Sequence, residues 1–180
     1  MTKYFVFTDL HGSAESMERL SALILAEKPD VVVSLGDVNY SGARNDPPDT
    51  YAPRSVCSML KELRVPVIYI KGNCDSEVDE AVLGAEFTER RVVKIASKSV
   101  MFTHGHRINP AAPPLIGYAD DVIYGHTHVN SVLVSDGVKY INVASCSIPK
   151  SGCPKSYAVI EDNIVTIKDL DGNVVLKTEL

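Results

Sequence analysis

The first half of the chain alternates short apolar runs with segments whose apolar residues recur every three or four positions. The apolar runs are rich in β-branched and aromatic residues and cover residues 3–8, 31–35 and 65–70. Continuous runs of this kind are typical of strands buried on both faces of a parallel sheet. The helical spacing lies between them, over residues 14–27 and 53–63. This order predicts right-handed βαβ crossovers.

The second half carries mostly short apolar runs separated by turn residues. A third helix is predicted over residues 77–83, with Ser76 as its N-cap and Gly84 at its end. Strands are predicted over residues 91–95, 99–103, 121–124, 131–134, 138–143, 157–160, 164–168 and 174–178. Because these strands are so closely spaced, we expect them to form a second, mixed or antiparallel sheet that packs on the first.

Composition narrows the class of protein. The 180 residues are 45% hydrophobic and 23% charged, which is ordinary for a folded protein and predicts one α/β domain over residues 1–180. The net charge of −5 argues against a long nucleic acid as partner, because such proteins need a basic face. No segment approaches the ~20 apolar residues of a membrane helix. Four cysteines without a CxxC pair, and no export signal, lead us to expect reduced thiols and a cytoplasmic location.

Ligand-type side chains follow five of the predicted strands. In each case an apolar run ends in Asp, Asn or His beside a glycine. Ligands of open α/β sheets bind outside the carboxyl ends of the strands, so these side chains are expected to meet at one rim. They are Asp9, His11, Asp37, Asn73, His104, His126 and His128. If the strand geometry persists, Asp9 and His11 share a side, and so do His126 and His128, because alternate strand residues point the same way.

The composition of this set indicates metal binding. One ion would not use seven ligands, but two ions that share a carboxylate would. Mixed imidazole and oxygen donors suit Mn, Fe, Co, Ni or Zn better than Ca or Mg. Two ions ~3.5–4 Å apart can hold a hydroxide and clamp both the attacking and the leaving oxygen at phosphorus. Two carboxylates and one hydroxide leave a charge of about +1, which weakly favours a phosphodiester monoanion over a monoester dianion.

The motifs DxH, GD, GNxD, HGH and GHTH, in this order, make the chain similar to the calcineurin-like metallophosphoesterases. GNCDSEVD at residues 72–79, THGH at 103–106 and SIPK at 147–150 resemble the small bacterial phosphodiesterases of the YfcE type. The resemblance implies a four-layer αββα sandwich with a dinuclear, usually manganese-activated, phosphodiesterase site, in which Asp37 bridges the ions. One ion would be held by Asp9, His11, Asp37 and His128, and the other by Asp37, Asn73, His104 and His126.

Residues beside these motifs are candidates for contact with the substrate. Many superfamily members carry His where this chain has Cys74, and a thiol is a poor substitute for imidazole in protonating a leaving group. His106 is expected either to contact the phosphate or donate a proton, or to support another side chain through hydrogen bonds. Arg44 and Asn45 are candidates to clamp a phosphate oxygen, with a solvated loop charge as the alternative for Arg44, and Lys150 is expected to be a surface charge. The candidate catalytic residues are Asp37, Asn73, Cys74, His104 and His106.

The resulting hypothesis is a phosphodiesterase that depends on two divalent ions, with Mn²⁺ as the first choice and Zn²⁺, Ni²⁺, Co²⁺ or Fe²⁺ as alternatives. A hydroxide that bridges the ions would attack phosphorus in line. A phosphomonoesterase or nucleotide phosphatase on the same site, and a non-catalytic scaffold of the same fold, stay open as alternatives. We expect a small phosphodiester as the substrate and no membrane partner, and self-association stays open.

Overall fold

The structure of the protein, a computed structural model, describes residues 2–115 and 117–180. In chain order its elements are β1 (Tyr4–Phe7), α1 (Ala14–Glu27), β2 (Val31–Ser34), α2 (Pro53–Glu62), β3 (Val67–Ile70), α3 (Glu77–Leu83), β4 (Phe87–Thr88), β5 (Arg90–Ile95), β6 (Lys98–Thr103), β7 (Asp121–Tyr124), β8 (Asn130–Ser135), β9 (Val138–Val143), β10 (Ser156–Glu161), β11 (Ile164–Asp169) and β12 (Val174–Glu179). They form a seven-stranded sheet in the order β12-β11-β10-β1-β2-β3-β4 and a five-stranded sheet in the order β5-β6-β7-β9-β8. The predicted α/β sandwich of two mixed sheets is confirmed.

The pairing of β1, β2, β3 and β4 is parallel throughout, as the βαβ prediction requires. The two-residue strand β4 was not predicted, because so short a segment has no periodicity to detect. The prediction that all later strands form a second sheet is right for β5–β9 and wrong for β10–β12. Strand β10 pairs antiparallel with β1, with Tyr4 opposite Ile160, and extends the first sheet. It does so because β1 would otherwise leave one edge unpaired inside the protein.

Two apolar layers fix the central strands. Phe5 and Phe7 of β1 face one layer together with Met17 and Leu20 of α1. Val6 faces the other layer, which lies between the sheets and includes Val33, Phe102, Ile123 and Ile141. Because alternate residues of β1 are buried on opposite sides, a slip by one residue would move Phe5 and Phe7 into the layer between the sheets and Val6 into the layer under the helices. The carboxyl ends of the central strands are therefore held in fixed positions.

The outer face of the five-stranded sheet is covered differently from that of the larger sheet. All three helices contribute to the layer against the seven-stranded sheet. On the far side, Met101, Val122 and Tyr140 are covered by the loop around Ile108 and Ala119. Within the described residues this fourth layer of the predicted αββα sandwich is therefore a loop and not a helix.

Helix capping agrees with the sequence signals. Helix α1 begins after Ser13, whose hydroxyl accepts the backbone N–H of Ser16. Helix α3 begins with a capping box between Ser76 and Asp79 and ends at Gly84 in the left-handed conformation, which glycine adopts at little cost. Among the described residues, no helix combines the length and the apolar composition needed to span a bilayer.

Candidate metal centre

The predicted ligand side chains meet at one rim, at the ends of strands from both sheets. β1, β2 and β3 of the larger sheet and β6 and β7 of the smaller one lead into this rim. The residues that the structure brings together are Asp9, His11, Asp37, Asn73, His104, His126 and His128. Nε2 of His104 lies 3.1 Å from Oδ1 of Asn73 and 3.2 Å from Nδ1 of His126. The predicted convergence is therefore present, although 119 residues separate the first side chain from the last.

Three groups of side chains have ligand atoms within 4.8 Å of one another, and one of them, His11, Asp37 and Cys74, takes a residue from each of the other two. Those two groups consist of predicted ligands alone. One group is Asp9, His11 and His128, and the other is Asp37, His104 and His126. Oδ2 of Asp37 lies 3.4 Å from Nε2 of His104 and 4.0 Å from Nε2 of His11, so this oxygen stands between the two groups. The arrangement offers two adjacent positions for cations.

Left-handed turns bring the ligand side chains together, and strand alternation does not. Asp9 and His11 face the same centre, with Nε2 of His11 3.6 Å from Oδ1 of Asp9, but the strand geometry does not persist to them, because β1 ends at Phe7. Five of the seven ligand-type residues have φ between 50° and 65°, namely Asp9, His11, Asp37, His126 and His128. This conformation costs a non-glycine residue of order 1 kcal/mol, and such strain concentrates at functional sites. The turns are held by backbone bonds from Asp9 N–H to Gly36 at 3.0 Å and from His11 N–H to Asp37 at 3.0 Å.

Three histidine rings are oriented by backbone carbonyls. In each ring Nδ1 lies within hydrogen-bond distance of a carbonyl oxygen, which fixes the proton on Nδ1. The acceptors are Tyr40 for His11 at 2.8 Å, Leu35 for His104 at 2.9 Å and Ile148 for His128 at 2.7 Å. The Nε2 lone pairs consequently face the centre. This is the arrangement that metal-ligating histidines adopt in proteins.

The hydrogen bonds of the Asp9 carboxylate test whether these side chains suit a divalent metal ion. Its Oδ2 accepts the Thr8 hydroxyl at 2.6 Å and the His126 backbone N–H at 2.9 Å. Its Oδ1 is buried without a hydrogen-bond partner and lies 3.2 Å from Nε2 of His128. Leaving a buried acceptor unpaired is costly, so this atom is disposed to coordinate a cation. The donor set, carboxylates with Nε2 lone pairs, therefore fits divalent ions.

Charge couples the carboxylates and the histidines. Burial alone would lower the pKa of His104, but the charges of Asp9 and Asp37 outweigh it and raise this pKa to about 9. Burial also opposes ionisation of Asp9, yet His104, His11 and His128 hold the pKa of this carboxyl far below its usual range. The pKa of His126 falls to about 4 through burial and the charge of His104. The centre thus holds ionised carboxylates in a buried position, where a metal ion would offset their charge.

Comparison with known proteins gives the family. Residues 3–163 match the sequence profile of the calcineurin-like phosphoesterase superfamily domain. The chain belongs to this superfamily. The phosphoesterase is 34% identical over 177 residues to phosphodiesterase YfcE of Escherichia coli K12, an alignment that covers 98% of this chain and 96% of the relative. Family membership and the ligand cluster together indicate a requirement for divalent metal ions.

Solved structures agree with this assignment. The structure of the E. coli phosphoesterase YfcE superposes with a TM-score of 0.92 at 33% identity and covers 98% of both chains. Vacuolar protein sorting 29 from Cryptosporidium parvum, at 22% identity, has a TM-score of 0.66 over 99% of this chain and 97% of its own, and shares the fold. The resemblance and the fold class predicted from the sequence motifs are both confirmed.

A cleft of about 570 Å³ opens in front of the metal centre of the phosphoesterase. Arg44, Asn45 and Cys74 line it, whereas His106 does not. The half-buried His106 ring has its centroid 5.4 Å from that of His104, and its Nε2 accepts Nε–H of Arg107 at 3.2 Å. Lys150, expected to be a plain surface charge, is part of the cleft lining. Its position within the SIPK motif was the signal that could have placed it there.

The buried carboxylate of Asp75 stabilises two turns of the metal centre. It was not singled out from the sequence. Asp75 accepts the backbone N–H groups of Asp37, Val38 and Gly72, each at 2.8 Å. These bonds connect the turn after β2 with the turn after β3, and so connect Asp37 with Asn73. The signal was the Asp of the GNxD motif, since a short acidic side chain in a turn commonly caps backbone N–H groups.

Proposed function

We propose that the chain hydrolyses small phosphodiesters with the help of two divalent ions, as one catalytic domain over residues 1–180. The observation that carries the proposal is the unpartnered, buried Oδ1 of Asp9 among histidine Nε2 atoms. The name of the E. coli relative, phosphodiesterase YfcE, supports the reaction class. All the ligand-type residues of the family pattern are present, which favours an enzyme over a scaffold that has kept only the fold.

The two groups of side chains support an assignment of ligands. One ion would be held by Asp9, His11, Asp37 and His128, and the other by Asp37, Asn73, His104 and His126. Asp37 would contribute to both, because its Oδ2 stands between the two groups and its Oδ1 accepts the Cys74 backbone N–H at 2.8 Å. Mn²⁺ is the proposed ion, and Zn²⁺, Ni²⁺, Co²⁺ and Fe²⁺ suit the same donors.

When bound, two such ions would supply a hydroxide for in-line attack on phosphorus and offset the charge of the phosphate. The chain's own residues then orient the substrate. Arg44 and Asn45 lie in the cleft, where a guanidinium and an amide can donate hydrogen bonds to phosphoryl oxygens. We assign His106 to positioning, because its ring packs beside that of His104 and its Nε2 accepts Nε–H of Arg107. Cys74 lines the cleft as a neutral thiol.

Parallel assays test this function. The purified protein is stripped with a chelator, reloaded with Mn²⁺, Co²⁺, Ni²⁺ or Zn²⁺, and assayed with bis(4-nitrophenyl) phosphate and 4-nitrophenyl phosphate. We expect kcat/KM for the diester to exceed that for the monoester by about tenfold or more, and Asp37→Asn and His128→Ala to lower it by about a thousandfold. Asp46→Asn, on an exposed loop, serves as the control.

Other outcomes would replace the proposal with a stated alternative. A faster reaction with the monoester would make the protein a phosphomonoesterase. Metal binding without turnover of either ester would make it a scaffold. Binding is followed separately, because a ligand that binds only the folded state raises Tm. We expect Mn²⁺ to raise Tm of the stripped protein, and Asp37→Asn to reduce that rise.

A further inference from the structure

The cleft in front of the metal centre holds more positive charge than a simple phosphodiester engages. Apart from histidines, its ionisable lining groups with a formal charge at neutral pH are Asp37, Arg44 and Lys150. Asp37 belongs to the metal centre. Arg44 and Lys150 form no ion pair with any residue in the described part of the chain. Two unpaired cations thus line one cleft of a protein whose net charge is −5.

The backbone around Lys150 is fixed to the metal centre. The N–H of Lys150 donates to the carbonyl of His128 at 2.9 Å, and the carbonyl of Ile148 accepts Nδ1 of His128 at 2.7 Å. The Ser147 hydroxyl donates to the carbonyl of Asp9 at 2.8 Å. The backbone of this segment is therefore tied to two ligand residues, Asp9 and His128, and the exposed side chain of Lys150 starts from a fixed point on the cleft wall.

Arg44 and Lys150 come from opposite sheets. Arg44 lies in the loop after β2 of the seven-stranded sheet, and Lys150 lies in the loop after β9 of the five-stranded sheet. Both loops line a cleft of about 570 Å³, which is larger than a phosphate group requires. The two cations are consequently suited to different parts of one ligand.

We propose that Lys150 binds a second anionic group, a carboxylate or a phosphate, carried by one alcohol of the phosphodiester substrate. The inference rests on the proposed function. The two ions, their carboxylates and one hydroxide leave a charge of about +1, which the diester monoanion neutralises. Arg44 then stabilises the further negative charge that develops on the phosphoryl oxygens during displacement. Lys150 is then the one lining cation without an anionic partner, and a second anionic group on the substrate would supply the opposite charge.

Matched substrates test the role of Lys150. One pair is the 4-nitrophenyl ester of thymidine 5′-phosphate with and without a 3′-phosphate, in which thymidine is only a common carrier. The other pair is 4-nitrophenyl 2-carboxyethyl phosphate and 4-nitrophenyl propyl phosphate. We expect the wild-type KM to be about fivefold lower for the member with the second anion, in whichever pair matches the natural group. The pair that shows the preference distinguishes phosphate from carboxylate.

Variants assign the preference to the ammonium charge. Lys150→Gln should abolish the KM difference within the pair, and Lys150→Arg should keep most of it. Lys177→Gln, an exposed lysine on β12 outside the cleft, should leave the difference as in the wild type. Equal KM values for both members in both wild-type pairs would overturn the proposal, as would a Lys150→Gln variant that keeps the preference.

Equilibrium binding separates this proposal from the proposed function. Calorimetry of the metal-loaded protein with thymidine 3′,5′-bisphosphate and with thymidine 5′-phosphate measures the second anion without turnover. A tighter Kd for the bisphosphate, lost in Lys150→Gln, would support the second-anion site even if no diester were hydrolysed. Hydrolysis of the diesters with identical Kd values for the two nucleotides, and no preference for the carboxylate, would instead keep the enzyme and remove the Lys150 site.

Discussion

The carboxylate of Asp75 accepts the backbone N–H of Asp37 at 2.8 Å, and so one acidic residue fixes the turn that carries another. The same carboxylate accepts the N–H of Gly72 at 2.8 Å, at the end of β3. Asp75 is 8% exposed, so these bonds are shielded from water. The position of Asp37 between the two groups of ligands therefore depends on a residue that faces away from the ligands.

Removing this brace should affect both folding and metal binding. Asp75→Ala leaves three buried N–H groups without an acceptor, and we expect the free energy of unfolding to fall by about 3 kcal/mol. Metal affinity should fall as well, because Asp37 and Asn73 lose their common support. Urea denaturation and calorimetry with Mn²⁺ measure the two effects, with Asp46→Ala as the exposed control. Unchanged metal affinity in a folded Asp75→Ala protein would show that Asp37 is placed without this support.

Gly125 leaves space for the Asp9 carboxylate. A Cβ atom at this position would lie 2.5 Å from Oδ2 of Asp9 and still closer to the Thr8 hydroxyl. We expect Gly125→Ala to lower the free energy of unfolding by about 2 kcal/mol and to weaken metal binding, because Asp9 must move. In Gly84→Ala, where the added Cβ meets open space, backbone strain alone should reduce stability and leave metal affinity unchanged. Equal metal affinities in the two variants would contradict this steric account.

The ion pairs of Glu27, which lie outside the metal centre, should make the free energy of unfolding depend on pH. Its carboxylate lies 2.6 Å from Nζ of Lys168 and 3.0 Å from Nζ of Lys3. Burial opposes ionisation, but these two ammonium groups outweigh it and lower the pKa of Glu27. Because the unfolded chain binds this proton more readily, the stabilisation is present at neutral pH and is lost as pH falls through the folded-state pKa.

The Glu27→Gln variant tests this linkage. At pH ~7 we expect it to be about 1 kcal/mol less stable than the wild type, and the difference should shrink as the pH falls from ~5 to ~3. Urea denaturation at several pH values gives the curve, with Glu18→Gln on the exposed face of α1 as the control. A difference that stayed constant across this range would exclude the ion pairs as its cause.

The thiol of Cys74 leads us to expect that the rate of diester hydrolysis depends on the pKa of the leaving alcohol. Burial and the charge of Asp37 raise the pKa of its thiol to about 12, so the group is neutral and a weak proton donor. Diesters whose leaving group departs without protonation should therefore react faster. Aryl diesters should consequently be cleaved faster than alkyl diesters. The check is a plot of log kcat against leaving-group pKa, for which we expect a clear negative slope with Mn²⁺ bound. A flat plot would mean that another group donates the proton or that a different step limits the rate.

The sequence predicted most strands, and the convergence of seven polar side chains at one rim, because both depend on local order. Apolar runs marked β1, β2 and β3, and the polar residues that follow them identified the rim. The partner of β10 was not predictable, because periodicity shows that a strand is buried but not which strand it pairs with. The left-handed turns at Asp9 and His11 and the cleft position of Lys150 were also missed, because each is fixed by contacts distant in sequence.

The left-handed turns at the metal centre limit where substitutions can be used to stabilise this protein. Glycine adopts such φ values without a steric penalty, so glycine at Asp9, Asp37 or His128 would relieve the backbone strain at that residue. Each of these substitutions would also discard a donor atom and a hydrogen bond that holds the turn. Engineering for greater stability should therefore begin at surfaces far from the rim.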